Sequence, residues 1–294
     1  MRYLDPVALA TLRNLRLELR RLAAEGASAG RHRSLVKGLS QDFAQHRPYA
    51  PGDELKTLDW KVYARQDRYY VREYTSENAL TTHILLDASG SMAFSSSGRA
   101  PKFDYAARLA MAIAYLVLQG GDAAGLTTFS SGGKADQRLA PRSSMAHLDA
   151  MDDLLSQIGP AGETDLGGAL ERAASAIKRR SLVVLISDLL GDPERVLKVV
   201  KSFKARRHEL LVLQVLDAQE REFDYDGPTV FESLEGQPEL FCDPSALRAA
   251  YRSEFDRLLK LYEGTFHRSD IAYAAFYTHA PWEQALGRFL TRWQ

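Results

Sequence analysis

The sequence predicts an α/β fold, a doubly wound and mostly parallel sheet preceded by a small N-terminal helix-plus-β appendage. Strand-like and helix-like segments alternate beyond Asn78. The runs Leu182-Val183-Val184-Leu185-Ile186 and Leu210-Leu211-Val212-Leu213 are apolar on both faces, as parallel strands covered by helices on both sides must be. The 294 residues are 45% hydrophobic and 26% charged, which supplies a large core and excludes a disordered or collagen-like chain.

The appendage is expected over residues 1–77. Asp5-Pro6 reads as an N-cap with proline at the first helical position, and Leu9, Leu12, Leu15, Leu19 and Leu22 recur at helical spacing up to Gly26. Ala27 to Asp53 is irregular, rich in Gly, Ser, Pro and basic residues, and ends in the turn Pro51-Gly52-Asp53, so it reads as a connecting or docking segment. Thr57 to Tyr63 and Tyr69 to Tyr74 then read as two short strands joined by the polar stretch Ala64 to Arg68.

The main domain is expected over residues 78–294. It opens with strand Thr82 to Leu86, a helix from about Asp104 to Gln119 and strand Ala124 to Phe129, a βαβ unit. A short strand at Gln137 to Ala140 follows, with helices at Ser143 to Ile158 and Leu166 to Lys178 and the apolar strand Leu182 to Ile186. The helix Pro193 to Lys204, strand Glu209 to Leu216, a long helix after Asp243-Pro244, strand Ile271 to Tyr277 and a helix capped by Pro281 complete the order. Asp217 to Leu240 reads as a long irregular excursion, and no internal repeat is present.

Charge excludes some function classes. Thirty-eight basic and 38 acidic residues cancel, so the whole-chain balance does not suggest a nucleic-acid or anionic-membrane protein. The stretch through Glu77 is mildly basic at +4 and the remainder is −4. The single Cys242 cannot form an intrachain disulfide, arginines interrupt any apolar run near the N-terminus, and no apolar stretch approaches the roughly 18–20 residues a membrane span needs, so a cytoplasmic location is expected.

The chemistry is expected at the carboxyl ends of the strands, where open parallel sheets bind ligands. Asp87-Ala88-Ser89-Gly90-Ser91 places a carboxylate and two hydroxyls at alternate positions of a turn. Thr164 lies in the loop Gly162-Glu163-Thr164-Asp165, and Asp188 follows another buried strand. Two carboxylates and three hydroxyls without His or Cys form a hard-oxygen set suited to Mg²⁺ or Mn²⁺, with a coordination position left for an acidic residue of a partner.

Asp87, Ser89, Ser91, Thr164 and Asp188 resemble, residue by residue, the metal-ion-dependent adhesion site of von Willebrand factor A domains. Just upstream, Arg47-Pro48-Tyr49-Ala50-Pro51-Gly52-Asp53 and Thr57-Leu58-Asp59-Trp60-Lys61-Val62-Tyr63-Ala64-Arg65 resemble the signature of the domain-of-unknown-function 58 family. The resemblance covers the chain from about residue 30 onward. It implies a von Willebrand factor A-like fold and a protein-binding role beside a MoxR-type AAA+ ATPase in chaperone-like or metal-cofactor assembly. Arg47, Tyr49, Asp53, Asp59, Trp60 and Arg65 are the partner-binding candidates in that signature, unless Trp60 and Tyr63 merely pack a hairpin and the arginines pair with Asp53 or Asp59.

Two other functions remain open. A Mg²⁺-dependent phosphoryl-transfer or hydrolytic enzyme could use the same ion, but Glu163 and Asp165 more naturally begin the helix at Leu166 than act as a base. The chain carries no phosphate loop and no dinucleotide turn, so a non-enzymatic role is expected. A metal-independent scaffold could instead bind through the basic N-terminal segment.

Overall fold

The computed structural model describes residues 2–4, 42–48, 62, 69–75, 80–96, 98–130, 137–163, 165–236 and 238–292. The chain divides into two compact units, Arg31–Ala79 and Met1–Gly30 with Leu80–Gln294. The expected helix after Asp5 lies outside the described residues.

In the smaller unit β1 (Asp42–Pro48) pairs antiparallel with β2 (Tyr70–Thr75), from Asp42 opposite Thr75 to Pro48 opposite Tyr70, with an irregularity between Phe43 and Gln45. This corrects the expected pairing of β2 with Thr57 to Tyr63. Val62, the one described residue of that stretch, is helical. Asp42 to Pro48 has weak strand propensity, and its partner about 25 residues away, rich in Tyr, Val and Thr, recruits it by main-chain pairing. Pro48 costs nothing at a strand end, where no ladder donor is required.

The larger unit is built on a six-stranded sheet in the order β10-β7-β6-β3-β4-β5. Its strands are β3 (Thr81–Asp87), β4 (Ala123–Phe129), β5 (Arg138–Arg142), β6 (Leu182–Ser187), β7 (Glu209–Leu216) and β10 (Ala272–Tyr277). All neighbours run parallel except β5, which pairs antiparallel with β4 at one edge. The expected order of elements is observed, with ends shifted by a few residues.

Alternation along the strands sorts the core into two layers. Ile84 and Leu86 of β3 and Val184 and Ile186 of β6 face α1 (Lys102–Gln119), α2 (His147–Gln157) and α7 (Trp282–Arg292). Leu85, Val183 and Leu185 face α3 (Leu166–Ala176), α4 (Pro193–Ala205) and α6 (Pro244–Arg268). Every residue of β6 and β7 is buried, which is why those runs carry no polar alternation.

Short polar side chains begin the helices. Asp165, Asp192 and Asp243 each accept an N-cap bond, from Gly168, Glu194 and Ser245 respectively, and Pro193 and Pro244 occupy first helical positions. Arg2 and Tyr3 donate their main-chain N–H groups to the Asp152 carboxylate at 2.7 and 2.9 Å.

The winding reverses between β3 and β6. From β3 the chain crosses α1 to β4 on one side, and from α3 it returns to β6 on the other. The carboxyl ends of β3 and β6 therefore flank the crevice where this fold class binds ligands.

The excursion expected as irregular is structured. It holds a short helix α5 (Ala218–Glu222) and a hairpin of β8 (Thr229–Phe231) and β9 (Leu240–Cys242). Phe223 stacks on Phe231 and Tyr251, with ring centroids 5.4 and 4.3 Å apart, and Tyr225 meets Phe231 edge-on at 5.1 Å. These rings, rather than any local periodicity, hold the hairpin to α5 and α6. Among the described residues no helix is long and apolar enough to cross a membrane.

His83, half-buried on β3, has its pKa lowered to about 4 by burial first, then by the charges of Arg138 and His208. Between the ordinary histidine value and 4 the unfolded chain binds a proton that the native one refuses. Stability is therefore whole above about pH 6.5 and declines as pH falls toward 4. Urea unfolding across that range should show wild type losing stability relative to His83→Gln, and parallel pH profiles would contradict this.

Candidate functional site

The candidate site begins with the last residue of β3. Asp87 is fully buried. Its Oδ1 accepts from the Ser89 N–H at 3.0 Å and its Oδ2 from the Ser187 hydroxyl at 2.6 Å. Burial, and next the charge of Asp188, push its pKa up to about 7, against the opposing pull of the Ser187 and Ser89 bonds.

The chain then turns through a 3-10 segment, Gly90–Ala93, with Ser89 at its N-cap position. The Ser89 hydroxyl makes no capping bond there and lies 3.0 Å from the hydroxyl of Ser91. The two hydroxyls are thus not consumed by local backbone, which is the use such serines ordinarily find at a helix start. Gly90 N–H donates to the Gly162 carbonyl at 2.9 Å and Ala161 N–H to the Ala88 carbonyl at 3.1 Å, so the Ala161–Gly162 loop lies along this turn.

Asp188 follows β6 and is also wholly buried. Its Oδ1 accepts from Leu190 N–H at 3.2 Å, and its carbonyl accepts from the Gln214 side-chain amide at 2.8 Å. The next residue, Leu189, has a φ of 57°, a conformation costly for a branched side chain. Its N–H bonds to the Ser187 hydroxyl at 2.9 Å and its carbonyl accepts from Tyr262 at 3.0 Å, so the surroundings hold the bend in place.

The residue that sequence reasoning missed is Lys102. Its ammonium is wholly buried, donating to Asp188 Oδ2 at 2.9 Å and to Glu220 Oε1 at 2.5 Å, and it stands 5.8 Å from the Phe94 ring centroid. Burial works against its charge, but the two carboxylates more than compensate and raise its pKa. Glu220 is held by a capping box at the start of α5, where its Oε2 accepts from Asp217 N–H at 3.0 Å. Asp217 in turn accepts from Ser96 at 3.0 Å and Thr278 at 2.7 Å.

A signal for both residues was present. Lys102 lies on the same helical stripe as Ala106, Leu109 and Ile113, and starting the helix at Asp104 left it out. Asp217-x-x-Glu220 is a helix-start pattern inside a stretch otherwise without periodicity.

The structure therefore brings Asp87, Ser89 and Ser91 together on one turn and places Asp188 at the end of the adjacent strand, with one carboxylate oxygen committed to Lys102. Thr164 lies outside the described residues, as do Tyr49, Asp53, Asp59, Trp60 and Arg65. Arg47 is in β1, opposite Val71. Asp165 accepts from Gly168 N–H as the cap of α3 and pairs with Arg195 at 2.7 Å, as its place before a helix suggested.

The donor chemistry fits a hard divalent cation. The Lys102 ammonium bonds to Asp188 and Glu220, whereas Asp87 is held by neutral donors, the Ser89 N–H and the Ser187 hydroxyl. Among the described residues no group of three or more His, Cys, Asp or Glu is arranged to hold a metal. An ion here would rest on Asp87 and the serine hydroxyls, an oxygen-only set of the kind Mg²⁺ and Mn²⁺ accept while keeping waters.

Residues 45–260 match the family described as "Protein of unknown function DUF58". An uncharacterized protein of Mycobacterium tuberculosis is 31% identical over 273 residues, covering 91% of this chain and 81% of its own length. Among solved structures, the conserved hypothetical protein BatB from Bacteroides thetaiotaomicron is similar over 72% of this chain and 98% of its own, at 13% identity and a TM-score of 0.45. The SpRpn10 VWA domain is similar over 47% of this chain and 75% of its own, at 15% identity and a TM-score of 0.37.

Removing the ammonium strands the wholly buried Asp188 and the partly buried Glu220, so Lys102→Met should cost about 3–5 kcal/mol in urea unfolding at neutral pH. A loss within the ordinary surface range of about 0.5 kcal/mol would show the pair to be unimportant. Asp87→Asn should act in the opposite direction. Between the ordinary carboxylate value and about 7, native Asp87 retains a proton that the unfolded chain has released, so wild-type stability falls as pH rises through that window. In chelator, the thermal advantage of Asp87→Asn should therefore grow from pH 4 to pH 8, and a constant difference would contradict the assignment.

Proposed function

The chain belongs to the DUF58 family, and from that premise we propose that it is a metal-dependent protein-binding module that grips an acidic partner side chain through Mg²⁺ or Mn²⁺. The observation that carries this reading is the Asp87 turn itself, a buried carboxyl with two serine hydroxyls 3.0 Å apart, set at the crevice where the sheet reverses.

Each residue has a distinct part. Asp87 provides the anionic anchor and Ser89 and Ser91 provide neutral oxygens, with Thr164 the further donor that the resemblance implies. Asp188 is kept at the edge of the site by Lys102. When bound, the ion supplies a directional, strongly oxyphilic contact for a carboxylate from outside. With Asp87 as the one carboxylate among these residues, a bound divalent ion would keep net positive charge, which would favour an anionic partner over another water.

The partner class we assign is a MoxR-type AAA+ ATPase, in chaperone-like assembly work and in the cytoplasm, following the family resemblance of the Arg47–Arg65 segment and the Asp87 motif. Exposed Val230, Leu240 and Phe241 on the hairpin add apolar surface of the kind that protein contacts use.

The test is binding of a purified MoxR-type ATPase to the full chain, followed by fluorescence anisotropy in Mg²⁺ and in excess chelator. Complex formation should require the ion, and Asp87→Ala should weaken it by about tenfold or more while the helical circular-dichroism signal persists. Equal affinity with and without chelator would refute the reading.

A further inference from the structure

The excursion between β7 and α6 returns to the Asp87 turn. Its hairpin tip stands directly on that turn: a Cβ at Gly90 would collide with the Leu234 carbonyl and press on the Glu235 side chain, so this close approach requires glycine. Beside it the Ser91 N–H donates to Glu235 Oε1 at 3.4 Å, and Glu235 N–H in turn donates to the Ser233 hydroxyl at 3.1 Å. A carboxylate of the chain itself thus lies at the residue whose hydroxyl forms one side of the candidate cation site.

The tip is carried there by a built support. The hairpin pairs Thr229 with Cys242 and Phe231 with Leu240, and the Phe223, Phe231 and Tyr251 rings stack beneath it. The preceding helix α5 is tied to Lys102 through Glu220. An acid on such a tether has a high effective concentration at its target, so an incoming acid must outcompete it.

We propose that Glu235 is an internal carboxylate ligand of the cation site, occupying the position a partner's acidic side chain takes when it displaces the hairpin tip. This rests on the cation reading above and adds its regulation, because the module covers its own site until a partner supplies a better acid. Glu235 is then the residue that sets how strong that partner must be.

The test uses Mn²⁺ alone as probe on the full chain, with free ion measured by electron paramagnetic resonance and exchangeable waters by water-proton relaxation. Glu235→Ala should weaken Mn²⁺ binding by about tenfold and give the bound ion one more exchangeable water. Glu235→Gln, which keeps the size of the tip, should move both readings in the same direction. Wild-type affinity and hydration in both variants, with binding lost in Asp87→Ala, would overturn the internal ligand and leave the cation site standing. Equal Mn²⁺ binding by wild type and Asp87→Ala would remove the site and the internal ligand together.

Discussion

A single buried ammonium organises the functional end of the sheet. Lys102, at the first turn of α1, binds Asp188 at the end of β6 and Glu220 on α5, joining three segments far apart in the chain. A buried ion pair of this kind adds little net stability, since desolvation offsets most of its attraction, but breaking it leaves carboxylates without compensation. Its effect is to fix geometry: Asp188 faces away from free solvent, and the helix that starts the excursion is anchored beside the crevice.

The same arrangement leaves Asp87 in a different condition from Asp188. Both carboxyls are buried at adjacent strand ends, yet Asp188 has an ammonium and Asp87 has only neutral donors. A carboxyl held in that way is pushed toward its protonated form, by burial first and then by the charge of Asp188.

Legibility in the sequence followed the range of the interactions. The six strands of the main sheet and the six longer helices of the larger unit could be read because their signals are local: apolar runs, period-3.6 stripes and Asp or Pro at helix starts. The Asp87-x-Ser89-x-Ser91 turn was legible for the same reason. The pairing of β1 with β2 was not, because Asp42 to Pro48 becomes a strand through a partner well along the chain. The hairpin over the site was also hidden, since stacked rings from three segments determine it rather than alternation within it.

The amino-acid sequence by itself determined that this is a doubly wound α/β protein of the DUF58 family with an oxygen-rich turn after its first main strand, because periodicity and short motifs are written in neighbouring residues. Only the tertiary structure decided that Lys102 is the counter-charge of Asp188 and that Glu235 comes to rest on Ser91. Electrostatic partners are chosen by distance in space, and these charges meet only after the sheet reverses direction and the excursion folds back across its end.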